Sequence, residues 1–173
     1  MYKELGRFIC PVIFQKSIWK DGELWTAVAG GAAAFFWFRY DPTIIEKVRE
    51  HFGDLLSATS IVFGFALAAL LFYIQAAGVW AKDKRVTRIA DKIVDWHVWT
   101  IVCILFLIGY LLLLWSFGVY LDNNSNLAFV LYAILAFQLL FCGFQILNHT
   151  LTIWWSFRNR KRLGNAEDQK KNT

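Results

Sequence analysis

Amide, thiol and imidazole side chains recur along the last apolar run of the chain, in "FQLLFCGFQILNHTLT" at residues 137–152. Counted from Gln138 at about 100° per residue, most of the polar side chains in this run, together with Ser156 but without Asn148, fall within about 40° of one direction on a helix. They therefore form one longitudinal polar stripe, which we expect to face away from lipid. The members of the stripe are Gln138, Cys142, Gln145, His149 and Thr152.

Such a stripe has three uses in a membrane protein. Its side chains hydrogen-bond across helices, at about 0.6 kcal/mol per contact, they line a water-filled path, or they hold a ligand or lipid head group. Counting about 20 residues inward from Leu127 puts the inner membrane boundary near Ile146. Gln138 and Gln145 are then membrane-embedded, whereas His149 reaches interfacial water. Hydrogen bonding within a helix bundle is the favoured use.

Residues that could perform catalysis do not combine into a site. The sequence has no HExxH motif and no Gly-rich phosphate loop. The thiols and imidazoles stand alone, without the spacing of a metal site or an activated nucleophile: Cys10, Cys103, Cys142, His51, His97 and His149. We therefore predict a protein that is not an enzyme and that binds no cofactor or metal.

The elements that carry these residues are four long apolar runs. The chain is 58% hydrophobic, with nine Trp and sixteen Phe among 173 residues, more apolar surface than a soluble domain of this size can bury. We predict an all-α, polytopic membrane protein with a four-helix transmembrane domain over residues 24–157. Its spans lie at about 24–40, 55–80, 97–121 and 127–157, the first being the weakest because its charge-free part is short.

Lysine and arginine orient the predicted spans. They number fifteen on one side of the membrane and three on the other. By the positive-inside rule both termini are therefore cytoplasmic, and the protein is expected in the bacterial inner membrane. No Asp, Glu, Lys or Arg lies within spans two to four, whereas ion-coupled transporters generally need one.

Three segments outside the lipid are expected to be structured. Residues 1–23 form an amphipathic cytoplasmic segment, and Asp41 caps a short outer helix that Gly53 ends. The connector between spans two and three continues span three as a cytosolic helix. Residues 158–173 form a basic, partly disordered cytoplasmic tail.

Two surfaces are candidates for binding. Small residues spaced by four in span two let helix backbones approach closely, within one protomer or between subunits: Ser60, Gly64 and Ala68. Basic residues on the cytoplasmic side are expected to contact anionic lipid or an acidic cytosolic partner. They are Arg85, Arg88, Lys92, Arg158, Arg160, Lys161 and Arg162. The net charge of +5 comes from helix ends and connectors, so direct nucleic-acid binding is not expected.

The layout around "GDLLSATSIVFGFALAALLFYIQ", with a charged helix before it and a basic helix and two spans after it, resembles small membrane proteins of bacterial defence loci. It is most similar to the four-span membrane subunits of the Kiwa anti-phage system. That resemblance covers residues 41–157 in layout and 54–75 in local pattern. It implies a homo-oligomer that works with a cytosolic effector against phage DNA and reports disturbance of the envelope.

Two functions follow from these expectations. The first is a membrane scaffold or sensor subunit that oligomerises and recruits a cytosolic effector in antiviral defence. The second is a small oligomeric ion channel, or depolarising effector, lined by the polar stripe. The first is favoured because the stripe contains no ring of charge of the kind that many selective pores use.

Overall fold

The computed structural model describes the backbone of residues 22–80 and 84–171, and the regular structure in these ranges is entirely helical, as predicted. The five α-helices are α1 (Gly22–Tyr40), α2 (Thr43–Glu50), α3 (Phe52–Trp80), α4 (Lys84–Phe117) and α5 (Asn126–Lys171). A single 3-10 turn, Gly118–Tyr120, follows α4. The amphipathic segment predicted over residues 1–23 lies outside the described residues up to position 21.

Three of the described helices are long and apolar enough to cross a membrane, over Phe52–Phe72 of α3, Val94–Phe117 of α4 and Asn126–Asn148 of α5. Their large apolar side chains face outward: Phe65 is 74% exposed and Phe106 is 70% exposed. An aqueous protein rarely exposes apolar surface on this scale. These features are consistent with a membrane protein. α1 is not among the three helices, so the fourth crossing stays a prediction.

The chain divides into two compact units. The first joins Met1–Val48 to Tyr120–Phe141. Within it α1 packs closely on the first half of α5. Ala27 is fully buried, and a Cβ on Gly31 would lie 2.9 Å from Phe137 Cβ and 3.2 Å from the Ala133 carbonyl oxygen. Only glycine allows this approach of two helix backbones.

Aromatic rings continue the contact between α1 and α5. Phe35 meets Phe129 edge to face with ring centroids 6.4 Å apart, and Phe38 meets Tyr132 at 6.2 Å. Tyr132 and Phe38 are buried. Small residues near the start of α1 and large rings near its end therefore fill the interface.

The second unit joins Arg49–Val119 to Cys142–Thr173. In it α3 and α4 pack against each other. The buried side chains of α4 recur every three or four residues, which is the spacing of one helix face. They are His97, Thr100, Ile101, Ile104, Leu107, Leu111 and Leu114.

Local hydrogen bonds explain where α2 begins and ends. As predicted, Asp41 caps the helix: its Oδ1 accepts from the Thr43 backbone N–H at 3.1 Å and from the Thr43 hydroxyl at 2.6 Å. The prediction that Gly53 ends this helix is wrong. α2 ends at Glu50, and the Leu55 N–H already donates to the His51 carbonyl in the first turn of α3. Gly53 has no positive φ, so it is not a C-terminal cap.

Short polar residues also start α5. The Ser125 hydroxyl oxygen accepts from the Ala128 N–H at 3.1 Å, and Asp122 Oδ1 accepts from the Asn124 N–H at 3.0 Å. The helix then runs to Lys171, through the tail for which composition predicts partial disorder. That tail contains Ala, Glu, Gln and Lys, which favour helix, and it contains no Pro. α4 begins at Lys84, so the segment before span three is helical, whereas its cytosolic location stays a prediction.

Replacing Gly31 with alanine is expected to destabilise the protein by about 1–2 kcal/mol. The new Cβ would overlap Phe137, at a typical cost of about 1–3 kcal/mol, and the helix propensity of alanine offsets up to about 1 kcal/mol of it. Unfolding in mixed micelles measures the change. Gly143→Ala is the matched control, because nothing lies within 4 Å of its Cβ position, and it should be neutral or stabilising. Equal stability of the two variants would contradict the close approach.

Candidate functional site

The small-residue face of α3 is open in this chain. Ser60, Gly64 and Ala68 are all exposed, and no atom lies within 4 Å of a Cβ placed on Gly64. The neighbouring Phe65 is also exposed. Of the two uses expected for this face, packing inside the protomer is therefore not the one present in the described residues.

The protomer uses a different pair of small residues for close packing. Gly31 of α1 is buried against α5 and Ala27 of the same helix is fully buried, whereas the three residues on α3 are exposed. Sequence reasoning missed this pair. The signal was present, because Ala27 and Gly31 are spaced by four in "TAVAGGAAA" just as the residues of α3 are.

The described part of the polar stripe on α5 is partly covered. Cys142 is 5% exposed, and Gln138 and Gln145 are half-buried. The Gln138 Oε1 atom is buried and has no hydrogen-bond partner within the described part of the chain. His149 and Thr152 lie in the helix, but their side chains are outside the described residues. This face is therefore not open along its length, although it retains an unmatched acceptor.

A histidine that the sequence reasoning treated as isolated joins α3 and α4. His97 is 5% exposed, and its Nε2 lies 2.7 Å from the Ala66 carbonyl oxygen of α3. Because a carbonyl only accepts, Nε2 carries the proton and donates. Thr100, one turn further along α4, is buried, and its hydroxyl donates a hydrogen bond to the Trp96 carbonyl of the same helix.

Spacing alone places His97 on the buried face of α4, although it does not identify the helix opposite. His97 opens the series of buried residues on α4 that continues through Ile101 and Ile104. A polar residue at the start of an apolar helix face predicts an interhelical hydrogen bond.

His51, by contrast, is 69% exposed, with its Nδ1 3.1 Å from Asp54 Oδ2.

The basic residues predicted to bind lipid or a partner lie at the ends of two helices. Arg85, Arg88 and Lys92 lie in the first turns of α4. The others, Arg158, Arg160, Lys161 and Arg162, lie in the last part of α5. Their side chains are outside the described residues. Both helix ends lie beyond the stretches long and apolar enough to cross a membrane.

Within the described ranges no group of three His, Cys, Asp or Glu side chains could hold a metal ion. Comparisons with known proteins find no matching family model, no matching curated protein and no matching solved structure. The candidate site is therefore defined by its own geometry: the open face of α3 and the hydrogen-bonded pair of helices that presents it.

Replacing His97 with leucine is expected to lower stability by about 1 kcal/mol, because an interhelical hydrogen bond in a membrane protein contributes about 0.6 kcal/mol and at most about 2. His97→Gln keeps an N–H donor and should retain most of that stability. Unfolding in mixed micelles compares the variants with His51→Leu, which removes only an exposed pair worth about 0–1 kcal/mol. If His97→Leu and His51→Leu behave alike, the hydrogen bond does not hold α3 to α4.

Proposed function

We propose that this chain is a membrane scaffold or sensor subunit that crosses the bilayer four times, associates with copies of itself through α3 and recruits a cytosolic partner. The observation that carries the proposal is the open face of α3. The small-residue packing inside the protomer is already provided by α1 and α5, so the second small-residue face is available to another subunit.

The packing of α1 supports a fourth crossing. Three contacts align α1 with α5, in opposite chain directions: Gly30 with Leu140, Gly31 with Phe137, and Phe35 with Phe129. All three partners lie inside the apolar stretch Asn126–Asn148. If this stretch of α5 spans the membrane, a helix packed along it spans the membrane too. The 19 residues of α1 rise about 29 Å, close to the thickness of the hydrocarbon.

The charges of α1 fit the same position. Glu23 lies in its first turn, Arg39 lies in its last turn, and the helix between them is uncharged. Trp25, Phe36 and Trp37 are exposed, as residues facing lipid and its interface would be. The low hydropathy of α1 comes from its Gly and Ala residues, which the close packing on α5 requires.

With four crossings both ends of the chain lie on the same side of the membrane. Reporter domains fused to residue 1 and to residue 173 should therefore both be active in the cytoplasm, because the Lys and Arg excess lies there. Fusions after Tyr40 and after Asp122 are the controls and should report the opposite side. If the two terminal fusions disagree, α1 does not cross.

Self-association through α3 follows from the energetics of helices in lipid. Apolar side chains gain little by leaving lipid for another helix, so association depends on close backbone contact, which small residues permit. Ser60, Gly64 and Ala68 repeat at the spacing of one helical turn. Their exposure leaves a shallow groove into which the same helix of a second copy fits.

Gly64→Leu should convert the oligomer to a monomer without loss of helix, because the leucine fills the groove. The mass of the intact complex in mild detergent measures this. Gly109→Leu is the matched control: Gly109 is an exposed glycine of α4 with nothing within 4 Å, and it is flanked at four residues by Leu105 and Leu113. It should keep the parental mass. Unchanged mass for Gly64→Leu would remove α3 from the interface.

The basic helix ends complete the proposal. α4 and α5 together carry ten Lys and Arg against three Asp and Glu over residues 84–93 and 149–171. An acidic cytosolic effector is attracted to such a surface, and anionic lipids also bind it. The resemblance to Kiwa membrane subunits supports a role in antiviral defence at the bacterial inner membrane. A complex whose mass accounts only for copies of this chain would contradict recruitment.

An oligomeric pore is the second candidate, favoured by one observation: the unmatched Gln138 Oε1. Water in a conducting path would supply its donor. The burial of Cys142 in the same stripe weighs against an open lining. Ion flux through liposomes that the parental protein supports and Gln138→Leu abolishes would favour the pore over the scaffold.

A further inference from the structure

The hydrogen bond between His97 and Ala66 fixes the register of α3 against α4. From Ala66 to the end of α3 at Trp80 the rise is about 21 Å, and from Lys84 to His97 it is about 20 Å. The two arms beyond the hydrogen bond are therefore equal in length. They run side by side toward the end of α3 and the start of α4.

The two arms require different surroundings. The arm of α3, residues 67–80, has no charged residue. The arm of α4 has six charged residues, at levels where α3 has none: Lys84, Arg85, Arg88, Asp91, Lys92 and Asp95. Inserting one charged residue costs several times more than inserting a leucine or phenylalanine gains. The charged arm therefore decides the position of both.

Tryptophan gives an independent mark of the same boundary. Trp96, next to His97, is 56% exposed, and Trp115 near the other end of α4 is 59% exposed. Exposed indole rings favour the membrane–water interface. The helix rises about 29 Å between them, which matches a hydrocarbon layer of about 30 Å.

α3 is longer than one crossing of the membrane requires. The apolar stretch of α4 begins at Val94, opposite Ala69, and the 18 residues Phe52–Ala69 are within the length range of a membrane span. Six residues past Ala66, Phe72 lies at the level of Asp91 on α4. The last part of α3 is therefore apolar without being needed for the crossing.

We propose that the phospholipid headgroup layer crosses this hairpin between Ala66 and Phe72, so that the rest of α3 leaves the lipid and stands in water beside the basic start of α4. The charge-free run 55–80, although uninterrupted in sequence, is thus only partly a membrane span. Asp91, Lys92 and Asp95 are the charged residues of α4 at this level, and Arg88 lies beyond it. This inference rests on the proposed membrane location and is independent of self-association.

Single cysteines on α3 test the boundary, in a full-length chain whose three native cysteines are replaced by alanine. Gln75→Cys lies beyond the boundary, and Phe65→Cys lies inside it. Both positions are exposed on the protein, so burial in the fold does not shield either thiol. A membrane-impermeant maleimide added to sealed vesicles should label Gln75→Cys from one side only, at least tenfold faster than Phe65→Cys. In detergent both should react.

Each other result overturns the inference in a distinct way. Equal protection of both thiols in vesicles places the whole apolar run in lipid. Equal labelling of both indicates that α3 lines a water-filled path. Recovery of the protein in the soluble fraction removes the membrane location itself, and with it the proposed function, whereas the first two results leave that location intact.

Discussion

Close contact between helix backbones is the constraint on which this structure depends. In lipid an apolar side chain gains little by moving from acyl chains to another helix, so association depends on how near two helices come. Gly31 provides that approach in one unit, with no room for a Cβ between α1 and α5. In the other unit, α3 and α4 are joined instead by a hydrogen bond from His97 to a main-chain carbonyl. Each device depends on one residue, and a larger residue at position 31 or an apolar one at position 97 weakens it.

A comparison with α1 explains the proposed use of the open face of α3. A Gly-and-Ala-rich surface has few atoms with which to attract lipid or water, and it is useful chiefly where another helix comes close. α1 carries such a surface and has its partner inside the protomer. α3 carries one at Gly64, and within the described residues no other part of the chain lies within 4 Å of its Cβ position. The proposed self-association gives the same physical role to both surfaces.

Sequence alone predicted the helical fold and the three long apolar helices because hydropathy and length are properties of the chain itself. It predicted the Asp41 cap for the same reason, since the bond is formed within three residues. It failed at Gly53, where the choice between a cap and a new helix depends on the hydrogen bond from Leu55. It also failed at Gly31 and His97. Their roles are set by residues about 100 and 30 positions away, and no local pattern specifies which helix will lie opposite.

The short connection between α4 and α5 bears on how the chain enters the membrane. It has no lysine or arginine and a single carboxylate, on Asp122, which already accepts an N–H from Asn124. A segment so weakly charged and so largely satisfied within itself presents a low barrier to translocation. In the proposed topology this segment crosses the membrane when the helices on either side of it insert, so its low charge lowers the cost of that step.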